Sequence, residues 1–222
     1  MTRERLRERI LEIGVIPAVR VATAAEARFA VEAVAAGGIP IVEITLTVPG
    51  AVDVIHELVA ASPEMMVGAG TVLDAETAKR CIDAGACFIT SPALKESVIR
   101  AARESETLVI PGALTPSEVL RAWESGADLV KVFPCSALGG PAYVRALKRP
   151  LPHVPMVAAG GINQQNAAEY IHSGADALGI GSSLIAPESV SHHESRRIRE
   201  LARRYLAIVA ETRERTRGTT TT

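Results

Sequence analysis

The sequence predicts an α/β fold: a single closed (β/α)8 (TIM) barrel with an extra N-terminal helix. Three observations carry that prediction. Strand-like apolar runs alternate with helix-like runs eight times in 222 residues, and unbroken β–α alternation builds a parallel sheet. A short signature recurs where a helix stops and a strand starts: Gly37-Gly38-Ile39, Gly85-Ala86-Cys87, Gly126-Ala127-Asp128 and Gly174-Ala175-Asp176. Successive starts lie 48, 41 and 48 residues apart, about one pair of βα units each. Composition is 48% hydrophobic but only 3% aromatic, and small or β-branched residues suit parallel strands buried under Ala-rich helices. Eight units in this length favour closure over an open doubly wound sheet.

The elements follow in order. Residues 1–13 are charged but helical in pattern and are expected to cap the barrel. The first strand, 15–20, precedes an Ala-rich helix, 24–36. Strand 41–46 leads to helix 51–61, strand 65–72 to helix 75–84, and strand 88–91 to helix 95–104. Strand 108–114 leads to helix 116–125 and strand 129–133 to helix 141–147. Strand 156–159 leads to helix 164–172, with Asn163 as its expected N-cap. Strand 177–181 precedes a long final helix, 194–212. The first glycine of each recurring signature suits the left-handed residue that ends a helix. No linker interrupts the pattern, so 14–212 reads as one barrel domain, and 213–222 as a disordered tail.

Bulk properties exclude several function classes. Net charge is −1, so no nucleic-acid footprint is apparent. The Arg-rich stretch 196–204 is interleaved with Glu194 and Glu200 and reads as a solvated helix face. No segment is apolar enough to span a membrane, and no signal region opens the chain. Cys81, Cys87 and Cys135 form no C-x-x-C pair and fit reduced thiols, hence a cytoplasmic location. Five scattered histidines lack zinc-ligand spacing, so no metal is expected. Trp123 reads as a packing residue.

One residue stands out. Lys131 lies inside the apolar run Leu129-Val130-Lys131-Val132-Phe133-Pro134. Lysine is rarely buried unless paired or used. A desolvated lysine tends toward the neutral amine that attacks carbonyls. The alternative is a lysine that snorkels to water or pairs structurally. Active sites of (β/α)8 barrels form at the C-terminal ends of the strands. Near those ends stand Arg20, Glu43, Thr71 and Lys131. Period-two alternation puts Ile41, Glu43 and Thr45 on one face, and Leu129, Lys131 and Phe133 on one face of another strand. The opposite faces are wholly apolar and suit the helix layer. Glu43 and Lys131 are thus expected to point into the barrel, as a proton-transfer and nucleophile pair or as a structural ion pair. Gly160-Gly161 and Gly181-Ser182 follow the last two strands, the usual place for a phosphate in this barrel type.

Six motifs in order then resemble the class I 2-keto-3-deoxy-6-phosphogluconate (KDPG) and 4-hydroxy-2-oxoglutarate (KHG) aldolases. They are VEITLTVPGA (42–51), VGAGTVLD (67–74), FITSPA (88–93), IPGALTPSE (110–118), DLVKVFP (128–134) and AAGGI (158–162). The resemblance implies Lys131 as the Schiff-base lysine and Glu43 as the general acid/base. It implies Arg20 and Thr71 at the pyruvoyl carboxylate, and Phe133 and Pro92 shaping the pocket. Gly160, Gly161, Gly181 and Ser182 would hold the phosphate. The implied partners are a small keto-acid and a phosphorylated aldehyde, with no cofactor, in a homotrimer. Two positions depart from the common pattern: Thr47 stands where many members have Arg, and Ala159 where many have Thr. Both lie near the carboxylate and hydroxyl contacts, so KDPG, its phosphogalactonate epimer and KHG stay open as substrates. A non-aldolase sugar-phosphate barrel and a non-catalytic trimeric scaffold are the rival readings.

Overall fold

The fifth predicted strand is split at Pro111, and that break is where the sheet closes. A computed structural model describes residues 1–219. Its parallel strands are β1 (Val15–Val19), β2 (Ile41–Thr45), β3 (Met66–Gly70), β4 (Phe88–Thr90), β5 (Leu108–Ile110), β6 (Gly112–Ala113), β7 (Val130–Val132), β8 (Met156–Ala159) and β9 (Ala177–Ile180). Their order is β5-β4-β3-β2-β1-β9-β8-β7-β6. Proline has no N–H to give the ladder, so β5 pairs with β4 while β6 pairs with β7. The Pro111 carbonyl accepts from the Lys131 N–H at 2.9 Å, and the Ile110 carbonyl from the Ser91 N–H at 3.3 Å. Across the break the sheet is a closed eight-position barrel, as predicted.

Helices α2 (Ala24–Ala36), α3 (Ala51–Ala61), α4 (Ala75–Asp83), α5 (Glu96–Glu104), α6 (Pro116–Glu124), α7 (Gly140–Lys148) and α8 (Ala167–His172) cross over between strands. Local chemistry sets their starts. Thr23 and Thr115 form capping boxes with Glu26 and Glu118, and Asp74 accepts from the Thr77 N–H. Helix α1 (Arg3–Ile13) buries Leu6, Ile10 and Ile13. It holds Asp128, just before β7, through Arg3 at 3.0 Å and donates from Arg7 to the Asp128 carbonyl. It thereby covers the N-terminal end of the strands.

The recurring signature has a structural meaning. In three of its four occurrences the third residue ties the strand start to the preceding strand; in the first the register is one residue later, with Gly38 rather than Gly37 left-handed (φ 94°) and Ile39 donating to the Val34 carbonyl of α2. The Asp128 carboxylate accepts from the Val109 N–H at 2.9 Å, and the Asp176 carboxylate from the Met156 N–H at 2.8 Å. Both aspartates also donate their own N–H to those same two residues. Cys87 does likewise, bonding the Val67 carbonyl with both N–H and Sγ.

Three boundaries differ from the sequence reading. Helix α8 starts at Ala167, not 164. Asn163 accepts from the Gln165 and Asn166 N–H groups, so it organises a turn ahead of the helix. A short helix, α9 (Pro187–Ser191), was not expected; Pro187 sits in its first turn. The last helix, α10 (Ser195–Thr219), runs well past 212. Residues 213–219 of the expected disordered tail are therefore helical. Arg213 explains the extension: it donates to the Glu12 and Asp176 carbonyls, both at 2.7 Å. Residues 220–222 lie outside the described residues. The Arg-rich stretch is exposed, with Arg197 and Arg204 paired to Glu194 and Glu200 as the charge pattern implied. Trp123 packs on the core. No described helix is long and apolar enough to cross a membrane.

Candidate active site

Glu43 lies in the middle of β2 and Lys131 in the middle of β7. These strands are four places apart in the sheet, so their side chains meet only across the barrel interior. They do meet: Lys131 Nζ lies 3.3 Å from both Glu43 oxygens. The side chains are 12% and 4% exposed. This is the long end of an ammonium–carboxylate contact, and neither oxygen of Glu43 takes a backbone N–H among the described residues.

Glycines make the room. A Cβ on Gly70 would stand 2.1 Å from Glu43 Oε1, so the carboxylate lies in the space a side chain would fill. Gly112 pairs with Lys131 in the ladder. A Cβ there would stand 2.2 Å from the Pro92 carbonyl carbon. Pro92 thus covers the strand beside Lys131 but does not itself line the cavity.

The cavity opens at the C-terminal strand ends and holds about 460 Å³. Of the residues singled out in the sequence, Arg20, Glu43, Lys131, Phe133, Gly160, Gly161, Gly181 and Ser182 line it. Among ionisable lining residues two are basic and one acidic, so the cavity favours an anion. The Phe133 ring centroid lies 5.8 Å from Lys131 Nζ and walls one side. Thr71 stands behind the lining and is reached through Arg20, which donates to its hydroxyl at 3.4 Å. Its φ of 61° is uncommon for a β-branched residue, a strain held beside the site.

Gly160 and Gly161 have φ of 87° and 84°, a conformation that suits glycine. They also permit close approach. A Cβ on Gly161 would meet Ser136 Oγ at 2.2 Å, and one on Gly160 would meet Pro134 at 3.0 Å. At Gly181 a Cβ would meet nothing within 4 Å, so its backbone lies open.

Of the two departures, Ala159 is in the cavity wall. Thr47 lies outside it, with its hydroxyl 2.7 Å from that of Thr45. Thr45 donates onward to the Val19 carbonyl. Sequence reasoning missed Ala18, Gly179, Ile185 and Pro187 as lining residues. Ala18 pairs with Glu43 and Gly179 with Ala159 in the ladder. Register, which needs the assembled sheet, places Ala18 and Gly179, whereas Ile185 and Pro187 come in with the chain that follows β9. Cys135 donates to the Val132 carbonyl, and burial pushes its thiol up to about 11. It stays a thiol and packs, as its lack of an activating motif implied. No group of three or more His, Cys, Asp or Glu among the described residues is placed to hold a metal.

The family model for KDPG and KHG aldolases matches residues 6–201. The chain belongs to the KDPG/KHG aldolase family. It is 35% identical over 198 residues to the KHG/KDPG aldolase of Escherichia coli (strain K12), covering 88% of this chain and 92% of that one. The KDPG aldolase of Legionella pneumophila, solved with pyruvate captured at low pH as a covalent carbinolamine, superposes with a TM-score of 0.83 at 31% identity. That match covers 89% of this chain and 96% of the other. A native KDPGal structure superposes equally well, TM-score 0.83 at 34% identity, over 90% and 96%. Aldolases of this family are carbon–carbon lyases.

Proposed function

We propose that this aldolase cleaves KDPG to pyruvate and D-glyceraldehyde 3-phosphate through a Schiff base on Lys131. The observation that carries the reading is the Lys131–Glu43 contact at 3.3 Å across a cavity at the catalytic end of the barrel. Glu43 takes a proton from Lys131, and the neutral amine attacks the C2 ketone. Glu43 then protonates the departing hydroxyl as the carbinolamine loses water and becomes a protonated imine. The imine draws electrons from the C3–C4 bond once Glu43 removes the C4 hydroxyl proton. That bond breaks, glyceraldehyde 3-phosphate leaves, and the enamine is protonated at C3. Water hydrolyses the resulting imine to pyruvate and frees Lys131. Arg20, with Thr71 behind it, supports the carboxylate end. Gly160, Gly161, Gly181 and Ser182 hold the phosphate through open backbone, which supplies remote binding energy for orientation. Phe133 shapes the pocket, with Pro92 fixing the strand beside Lys131. The lysine supplies the electron sink, so the steps call on no cofactor.

A second substrate reading has its own support. Ala159 gives the cavity wall a methyl where a hydroxyl is common in the family, which alters the groups offered to substrate hydroxyls. The phosphogalactonate epimer is the alternative; KHG, cleaved to pyruvate and glyoxylate, is a further substrate. A homotrimer in the cytoplasm completes the reading, the three cysteines being free thiols. Borohydride reduction with pyruvate, then peptide mass mapping, tests the mechanism. An adduct on Lys131 supports it. No adduct on any lysine overturns it and moves weight to another sugar-phosphate chemistry or a non-catalytic scaffold. The ratio of kcat/KM on the two phosphorylated epimers decides between the substrates.

A further inference from the structure

The barrel interior holds a hydroxyl that the mechanism above leaves unused and that has no partner among the described residues. Thr90 is the last residue of β4 and is 1% exposed. Its Oγ1 is buried and has no hydrogen-bond partner among the described residues. Buried hydroxyls are normally satisfied, because an orphaned one is costly. A valine would fill the same shape without that cost, so the hydroxyl calls for an explanation.

Its neighbours supply one. Phe88 faces the barrel interior, since its ring lies where a Cβ on Gly68 would be. Thr90, two residues on, shares that face. Gly68 pairs with Phe88, and Ala69 with Ile89. Continuing the register sets Gly70 beside Thr90. Gly70 is the position whose missing side chain is replaced by the Glu43 carboxylate. The Glu43 carboxylate, reaching from β2 over Gly70 of β3, therefore occupies the inward place next to that of Thr90 on β4.

We infer that Thr90 is a positioning residue: its hydroxyl donates to the Glu43 carboxylate once Lys131 is committed to the imine. The inference rests on the Schiff-base reading. In the free enzyme both Glu43 oxygens face the Lys131 amine. Conversion to a protonated imine leaves that nitrogen one N–H in place of an ammonium's three. Glu43 then loses its main donor just when it must move protons at the substrate hydroxyl and C3. A threonine hydroxyl can turn to it by a χ1 rotation. The other charged groups facing Glu43 are Lys131 and, at the cavity mouth, Arg20. Its remaining inward neighbours, Ala18, Gly68, Gly70 and Thr45, do not titrate.

The experiment measures deuterium exchange at the pyruvate methyl against pH in wild type, Thr90→Val and Thr90→Ser, with borohydride trapping of pyruvate on Lys131 in parallel. Thr90→Val is expected to keep the trapped imine and to slow exchange about tenfold, the worth of one hydrogen bond to a charged group. Its acid limb should move to higher pH, because losing a donor makes the carboxylate easier to protonate. Thr90→Ser should restore both. If Thr90→Val fails to fold, Thr90→Ala carries the same expectation. A trapped imine with exchange and acid limb unchanged in the hydroxyl-free variant overturns the role of Thr90 alone. No trapped imine in wild type overturns the Schiff-base reading and this inference with it.

Discussion

At the N-terminal end of the barrel, Asp128 accepts from the Val109 N–H at 2.9 Å and pairs with Arg3 at 3.0 Å. Asp176 accepts from the Met156 N–H at 2.8 Å and pairs with Lys148 at 2.7 Å. At the C-terminal end, Glu43 meets Lys131 at 3.3 Å on both oxygens, with no backbone donor among the described residues. All three are acid–base pairs, the two aspartates just ahead of β7 and β9 with partners on helices and the third wholly on strands. The two aspartates are stitched to backbone and held short. Burial pushes the Asp128 carboxyl up, and the Val109 N–H and Arg3 hold it back down. The glutamate is held loosely, over a glycine, beside a cavity. A pair fixed by backbone bonds serves the fold. A pair with slack and room can change partners and move protons.

The comparison can be broken most directly at Lys131. Lys131→Met should lower turnover at least about a thousandfold, as loss of a nucleophile does, while the circular dichroism spectrum of the folded protein is retained. Substantial residual turnover would mean that the loose pair is structural after all. Gly70→Ala sharpens the argument about room. Its methyl would fall 2.1 Å from Glu43 Oε1 and must displace the carboxylate. Misplacement on this scale should cost about a hundredfold in kcat, with pyruvate still trapped on Lys131. Wild-type kcat in that variant would show that the position of Glu43 is not critical. Asp128→Ala tests the other end. It strands the Val109 N–H and Arg3, so denaturant unfolding should show a loss of about 3 kcal/mol. The kcat of the folded enzyme should stay within about twofold, because Asp128 lies at the opposite end of β7 from the cavity and does not line it. A large fall in kcat without loss of stability would erase the contrast between the two ends.

Much of this was legible before folding. Alternation of apolar runs set the barrel, and period-two spacing set which way Glu43 and Lys131 point. Both rest on local rules, since side chains in a strand alternate whatever the strand pairs with. The recurring glycine signature marked where strands begin, yet its function was hidden. That Asp128 and Asp176 bond the preceding strand depends on a partner far away in sequence. The expected disordered tail failed for the same reason. Residues 213–219 read as weakly structured alone but are helical because Arg213 reaches Glu12 and Asp176.

The site divides along the same line. Residue types and their spacing singled out the candidate groups: Lys131 in an apolar run, Glu43 on an inward face, paired glycines at strand ends. Only the closed sheet decided that Lys131 and Glu43 touch, and that Gly70 yields its space to the carboxylate. Local periodicity fixes the direction of a side chain. Its neighbours across the barrel are fixed by closure and register, which involve strands that no local stretch of sequence contains.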